Sequence, residues 1–235
     1  MEESAIKKLA KNLGLEFKNL NLLREALTHR SYLNEHQNIN WHHNERLEFL
    51  GDAVLELAVT DYLFKNFPET PEGILTNFRA ALVNSNSLSE IAQKLDLEKY
   101  LLLSKGEKKN ASQKGHQYIL ANALEALIGA IYLDLGYEEA EKFIQKNIIS
   151  NLSHILETES WRDPKSLFQE KAQAKVGITP TYKVLREWGP DHNKQFITGV
   201  FLGHNMIAQG QGSSKQEAEV EAAKNALKIK RKQGW

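Results

Sequence analysis

The chain contains no cysteine. That absence excludes a disulfide framework, thiolate metal sites and a cysteine nucleophile, and it fits a reducing compartment. A continuous apolar stretch near the start is missing too. Met1–Leu15 is amphipathic and charged, with no apolar h-region, so a signal peptide is not expected. No run approaches the ~18 apolar residues of a membrane span. The expectation is a soluble, cytoplasmic protein with no membrane partner. Net charge is also lacking: 30 Lys+Arg balance 30 Asp+Glu over 235 residues. That zero is an average of unlike halves. Residues 1–161 hold 17 basic and 23 acidic residues, a net of −6, and residues 162–235 hold 13 and 7, a net of +6. Such asymmetry predicts two domains with different tasks. The basic half suits a polyanion. The acidic half suits either bound cations or an ordinary solvated surface.

What is present in the first 160 residues reads as helix after helix. Apolar residues fall at helical spacing in Asn19–Thr28 and in the longer His43–Phe64, and Pro68 and Pro71 bracket a break. Further helical patterns cover Ile74–Val83, Ser87–Leu95, Gln117–Leu135 and Glu138–Leu156, with Gly136 as a C-cap. Ser104–His116 is polar and Lys/Gly/Asn-rich and reads as a loop. The pattern changes near Thr158–Pro164. Asp163-Pro164 opens a helix to about Val176. Strand-like runs follow at Thr181–Glu187, Gln195–Leu202 and Met206–Gln211, separated by turn residues. Ser213–Lys230 closes the chain as a helix capped by Ser213 or Ser214. The predicted architecture is an all-α domain over 1–157, a linker over 158–162 and an α+β domain of order α-β-β-β-α over 163–232.

Three carboxylates in the long helix, Glu45, Glu48 and Asp52, stand at i, i+3 and i+7 and share one face. Like charges so placed repel, and a divalent cation removes that cost. Asn122 and Glu125, at i, i+3 on the most apolar helix, are a polar pair that needs partners. Oxygen-only donors suit Mg²⁺ or Mn²⁺. A di-iron site would want Glu-x-x-His pairs, and no His follows these groups at that spacing. Taken singly, each acid is an ordinary solvated surface charge, and spacing alone does not bring the two helices together.

The stretch Asn44–Asp52, NERLEFLGD, resembles the signature of the ribonuclease III family. So do ALTHRSY at Ala26–Tyr32, PEG at Pro71–Gly73, RAALVN at Arg79–Asn84 and ILANALEALIGAIYLDLG at Ile119–Gly136. The resemblance implies an endoribonuclease that cleaves double-stranded RNA by metal-activated water, leaving 5′-phosphate and 3′-hydroxyl ends in rRNA and mRNA processing. It implies Glu48, Asp52 and Glu125 as catalytic metal ligands, with Asn122 where the family usually has an aspartate. Glu45 and Glu72 match two further acids of the cleavage valley. Mg²⁺ is the implied cofactor, Mn²⁺ its substitute, and no small-molecule cofactor is implied. Asn122 departs from the pattern: an amide oxygen can ligate a cation but brings no charge. It leaves open an alternative, a double-stranded-RNA-binding dimer with impaired cleavage. It also leaves open whether the amide is a natural variant or an engineered one.

Phe49 is large and apolar among the carboxylates. Alone it reads as a core residue, and the resemblance implies that it inserts into a hydrophobic socket of a second copy in a homodimer. The C-terminal order, with GPDHNKQF (Gly189–Phe196) and GSSKQEAEVEAA (Gly212–Ala223), looks like the double-stranded-RNA-binding fold, which reads duplex shape. Its implied contacts are Gln169 and Gln173 on the first helix, His192 with Lys194 after the first strand, and Ser213, Ser214 and Lys215 at the last helix's N-terminus. Free N–H groups and the helix dipole favour an anion there. A second departure is that Lys215 is followed by Gln216, with no further Lys before Lys224, where the family commonly clusters lysines. Fewer phosphate contacts predict weaker, less salt-dependent binding.

Overall fold

The computed structural model describes residues 3–190 and 194–232. Its contacts fall into two compact units, one ending at Trp161 and the other starting at Arg162. The first is all helical: α1 (Glu3–Leu13), α2 (Leu20–Ala26), α3 (Arg30–Glu35), α4 (Glu45–Asn66), α5 (Glu72–Val83), α6 (Ser85–Lys94), α7 (Lys105–Asn110), α8 (Gln113–Leu135), α9 (Tyr137–Asn147) and α10 (Leu152–Thr158), with single 3-10 turns at Leu97–Tyr100 and Ile149–Asn151.

The centre of this unit is α8. Ile119, Leu120, Leu124, Leu127, Ile128 and Ile131 are all buried, as expected of a helix that is apolar all round. Among the described residues it is the one helix with the length and composition of a membrane span. The reading that no run approaches that length is therefore corrected, and burial inside a helical unit accounts for the composition. Helices α4 and α8 cross at two glycines. A Cβ built on Gly51 would stand 1.8 Å from the Glu125 carbonyl oxygen, and one on Gly129 would stand 2.2 Å from that of Leu47. Only glycine permits backbones this close.

Several elements differ from the sequence reading. Ser104–His116 is not a loop. Ser104 accepts a hydrogen bond from the Glu107 N–H at 3.0 Å and starts α7. Ser112 accepts one from Gly115 at 3.1 Å and starts α8. Two N-caps close together outweigh the polar composition. The helix expected over Glu138–Leu156 is broken into α9 and α10. The Asn147 and Asn151 side chains donate to the backbone carbonyls of Phe143 and Asn147, competing with helical pairing where the break falls. A short helix, α3, lies between α2 and α4, where His29 Nδ1 caps by accepting from Ser31 N–H. Residues 158–161, read as part of a linker, include Trp161, whose ring packs edge-on to Phe78 at 4.9 Å within the helical unit.

The second unit holds α11 (Pro164–Val176), β1 (Thr181–Trp188), β2 (Gln195–Leu202), β3 (Asn205–Gly212) and α12 (Lys215–Lys232). Asp163 caps α11 by accepting from Ser166 N–H, and Gly177 ends the helix at φ +69°. The strands form one antiparallel sheet in the order β1-β2-β3. Phe168 and Ala172 of α11 pack with Val200, Leu202, Ala208 and the alanines Ala222, Ala223 and Ala226 of α12. Gly210 lets α12 lie against β3, since an added Cβ would meet Ala222 N at 2.1 Å.

Gly51→Ala is expected to destabilise the helical unit by at least ~2 kcal/mol, because its methyl meets backbone that cannot swing aside. Thermal unfolding checks this; an unchanged melting temperature would show that the helices separate at little cost.

Candidate active site and nucleic-acid interface

The start of α4 is tied down before any carboxylate is placed. Asn44 is 3% exposed. Its N–H donates to the Thr28 carbonyl at 2.9 Å, its side-chain amide reaches the Ala26 carbonyl at 3.4 Å, and its own carbonyl accepts from Glu48 N–H at 2.8 Å. Thr28, fully buried, accepts from Trp41 Nε1 at 3.1 Å. Backbone bonds from Leu102 to Leu27 and from His29 to Leu102 anchor the segment on its other side. Glu45 and Glu48 thus fall in the first turn, where the helix dipole favours carboxylates.

One turn along, the glycine crossing brings α4 and α8 together, and the predicted residues meet there. Burial, then the charges of Asp52 and Glu48, push the Glu125 carboxyl up to about 7. Glu48 is also raised, by burial first and then by Glu45, with Asp52 adding to it and the nearby Asn122 amide opposing it. Glu48, Asp52, Asn122 and Glu125 therefore form one electrostatic group across the two helices. Glu45 joins at its edge, its carboxylate 3.9 Å from Arg30 and 3.8 Å from His43. Glu72 is exposed at the first turn of α5, lining a groove of about 280 Å³ with Thr60, Phe64 and Arg79. Its charge is not among those that shift Glu48 or Glu125.

Among the described residues, no three His, Asp or Glu side chains are gathered tightly enough to hold a metal ion by themselves. The four predicted ligands are neighbours across the two helices and not a closed cage. Their donor chemistry, three carboxylates and an amide oxygen, fits a hard divalent cation. Sequence reasoning did not find Asn44, Gly51 or Gly129. A glycine in the middle of each of two long helices was the available signal. Beside the site Phe49 is 81% exposed. It borders a hollow of about 610 Å³ lined by Leu22, Leu47, Leu50 and Leu133 and also by Glu25, His42, His43, Glu45 and Arg46.

In the second unit Gln169 and Gln173 are both exposed on α11, and the Gln173 amide donates to Thr179 Oγ1 at 3.1 Å. Lys194 lies 3.7 Å from Glu187. His192 lies outside the described residues. Ser213, Ser214 and Lys215 are exposed before and at the first turn of α12. The N-terminus there is already engaged. Glu217 N–H donates to Ser214 Oγ, while the Glu217 carboxylate accepts from both Ser213 N–H and Ser213 Oγ. The capping serine was expected from the sequence; the answering bonds of Glu217, legible as Ser214-x-x-Glu217, were not. A phosphate approaching the helix start meets that carboxylate.

Comparison with known proteins places both units. A family described as Ribonuclease-III-like matches residues 19–152, and the double-stranded RNA binding motif matches residues 164–230. "Ribonuclease 3" of Borreliella burgdorferi is 44% identical over 228 residues, covering 96% of this chain and 91% of the relative. That of Carboxydothermus hydrogenoformans is 45% identical over 229 residues, 97% of each chain. A solved structure of the ribonuclease III nuclease domain from Campylobacter jejuni aligns with a TM-score of 0.54 at 45% identity, covering 62% of this chain and 97% of that one. A helical nuclease unit followed by a duplex-RNA-binding unit defines an endonuclease that carries its own RNA-recognition module. The chain belongs to the ribonuclease III family, and it is a double-stranded-RNA-specific endoribonuclease. Nothing among the relatives supports the alternative of a binding dimer with impaired cleavage.

The raised Glu125 carboxyl predicts how the metal-free protein responds to pH. Its folded value, about 7, lies above the ordinary 4.5. The folded state thus holds this proton more tightly, and the contribution to stability is full below pH 4.5 and lost as pH rises through 7. In EDTA, lowering the pH from 8 to 6 should raise the melting temperature relative to Glu125→Gln. The difference should reflect roughly 1–2 kcal/mol, after allowing for a carboxyl that water still reaches. Parallel pH profiles for the two proteins would count against the clustered charges.

Proposed function

We propose that this enzyme works as a homodimer, cutting both strands of duplex RNA by hydrolysis at two Mg²⁺-dependent sites. It leaves 5′-phosphate and 3′-hydroxyl ends in the processing of rRNA and mRNA in the cytoplasm, and Mn²⁺ substitutes for Mg²⁺. The observation that carries the reading is the negative group at the α4–α8 crossing, where burial, and after it the charges of Asp52 and Glu48, push Glu125 up to about 7. Such a group favours a bound cation over bare carboxylates. Glu48, Asp52, Asn122 and Glu125 would hold it. When bound, a divalent cation supplies a nucleophilic water at neutral pH and offsets charge developing on the phosphate. Glu45 and Glu72, both exposed, line the valley where the RNA lies.

Support for the dimer comes from Phe49. An exposed phenylalanine beside a hollow with four leucines in its lining offers a knob and a socket on one face, as a two-fold interface requires. One Campylobacter jejuni nuclease-domain structure is described by the flexibility of its region involved in dimer formation. In the second unit, Gln169, Gln173, Lys194, Ser213, Ser214 and Lys215 would meet RNA backbone and minor-groove edges, with His192 completing the contact after β1.

A long perfect RNA duplex should be cut with Mg²⁺ and left intact in EDTA, and Asp52→Asn should slow cutting at least ~100-fold. Metal-independent cleavage, or full activity of the Asn variant, would overturn the assignment. Phe49→Asp should sediment as a monomer at micromolar concentration, because a charge cannot be seated in an apolar socket without cost. A dimer that survives the substitution removes Phe49 as the anchor.

A further inference from the structure

We infer that the outward face of the β1-β2-β3 sheet binds single-stranded RNA, as a second RNA site apart from the duplex contacts proposed on α11 and α12. Those helices cover the inner face, where Phe168, Ala172 and Ala222 pack with Val200, Leu202 and Ala208. Side chains alternate along a strand, so the residues between point the other way. The pairing sets Lys183 opposite Gly199 and Gly199 opposite Gln209. In the next outward row it sets Arg186 opposite Ile197 and Ile197 opposite Gln211. The middle of this face is apolar. A Cβ on Gly199 would stand 2.9 Å from the Phe201 ring, 3.1 Å from Leu185 and 3.3 Å from Met206. Its absence lets these three groups close over the central strand, yet Leu185 is 46% exposed and Met206 54%.

The two cations of this face each lie over an aromatic ring. Lys183 Nζ is 5.5 Å from the centre of the Phe201 ring, and Arg186 Cζ is 5.3 Å from that of Trp188. Among the described residues no carboxylate stands at an outward position. Glu187, the acid beside Arg186, is opposite the inward Phe196 and lies 3.7 Å from Lys194. Cations, aromatic rings and exposed glutamine amides together are the groups that meet an unpaired strand. Cations take phosphates, rings and guanidinium planes stack on bases, and amides reach base edges. A duplex keeps its bases stacked and would offer this face little but phosphate. Charge also argues against a second copy seated here, since a self-paired face would set cations against cations. The arrangement lets one unit hold the unpaired RNA next to a duplex on its sheet while its helices meet the duplex itself.

The inference needs neither metal nor cleavage, so it stands or falls apart from the catalytic reading. The test is fluorescence anisotropy of the full chain with a short labelled RNA that cannot pair with itself, in EDTA at low salt. The strand should bind with a Kd of roughly 1–100 µM. K183E/R186E should weaken it at least ~10-fold, and W188A, which removes one stacking surface, ~5-fold. K183Q/R186Q should make the salt dependence shallower by about 1.4 in log–log slope, ~0.7 for each lost phosphate contact. Both charge variants should keep the wild-type melting temperature and the wild-type affinity for duplex RNA. Saturating unlabelled duplex should leave the labelled strand bound. A strand that does not bind, or that binds K183E/R186E as well as wild type, would overturn the inference. Full displacement by duplex, or equal losses of strand and duplex affinity in K183E/R186E, would do so by merging this face with the duplex site. Displacement by polyglutamate at equal charge would do so by marking a surface for acidic peptides.

Discussion

The nuclease unit depends on a contact between two stretches of main chain. Helices α4 and α8 meet where Gly51 abuts the Glu125 carbonyl and Gly129 abuts that of Leu47. Helices separated by side chains usually pack 8–10 Å apart, with slack that rotamers can take up. A crossing on glycine has much less slack. It fixes the height of each helix against the other, and so fixes which residues face each other one turn away. Glu48 and Asp52 flank one glycine, and Glu125 stands four residues before the other. Asn44, pinned among Thr28 and Ala26, sets where α4 begins. Position along the helix and height at the crossing then leave the carboxylates little freedom to avoid one another.

Such an arrangement runs against stability. Burial raises Glu48 and Glu125 toward their neutral forms, and each neighbouring acid raises them further. The apolar mass of α8 and its neighbours carries that cost. Ile119 to Ile131 provide a core into which two polar groups are set at half-depth. Groups held in unfavourable surroundings by a rigid frame are a common property of sites that do chemistry. The RNA-binding unit follows a different logic. Its charge is net positive, its helix N-terminus is closed by its own glutamate, and its polar contacts are spread over an exposed surface rather than concentrated in a cleft.

Much of this was legible in the sequence. The i, i+3, i+7 spacing of Glu45, Glu48 and Asp52 announced a shared face, and the switch from helical to alternating periodicity marked the second unit. The opposite charges of the halves separated them without any structural knowledge. What escaped was set by short-range chemistry or by distance. The helix α7 hides in a polar stretch because its start is encoded by one capping serine, Ser104, rather than by apolar periodicity. The break between α9 and α10 follows from asparagine amides competing for carbonyls, which a hydrophobic pattern does not register. That Asn122 comes near Glu48 is a long-range fact, and no spacing within either helix contains it. The family resemblance supplied the pairing that periodicity alone left open.

The glycine crossing also limits how the enzyme can be retuned for hotter or colder surroundings. Most interiors offer a graded choice, alanine to valine to isoleucine, by which stability drifts a fraction of a kilocalorie at a time. At Gly51 and Gly129 no graded choice exists, since the smallest increment is a methyl group with nowhere to go. Thermal adaptation must therefore be written in the outer layers: the surface ion pairs, the caps and the loops. The heart of the catalytic unit can be kept or lost, but it cannot be adjusted.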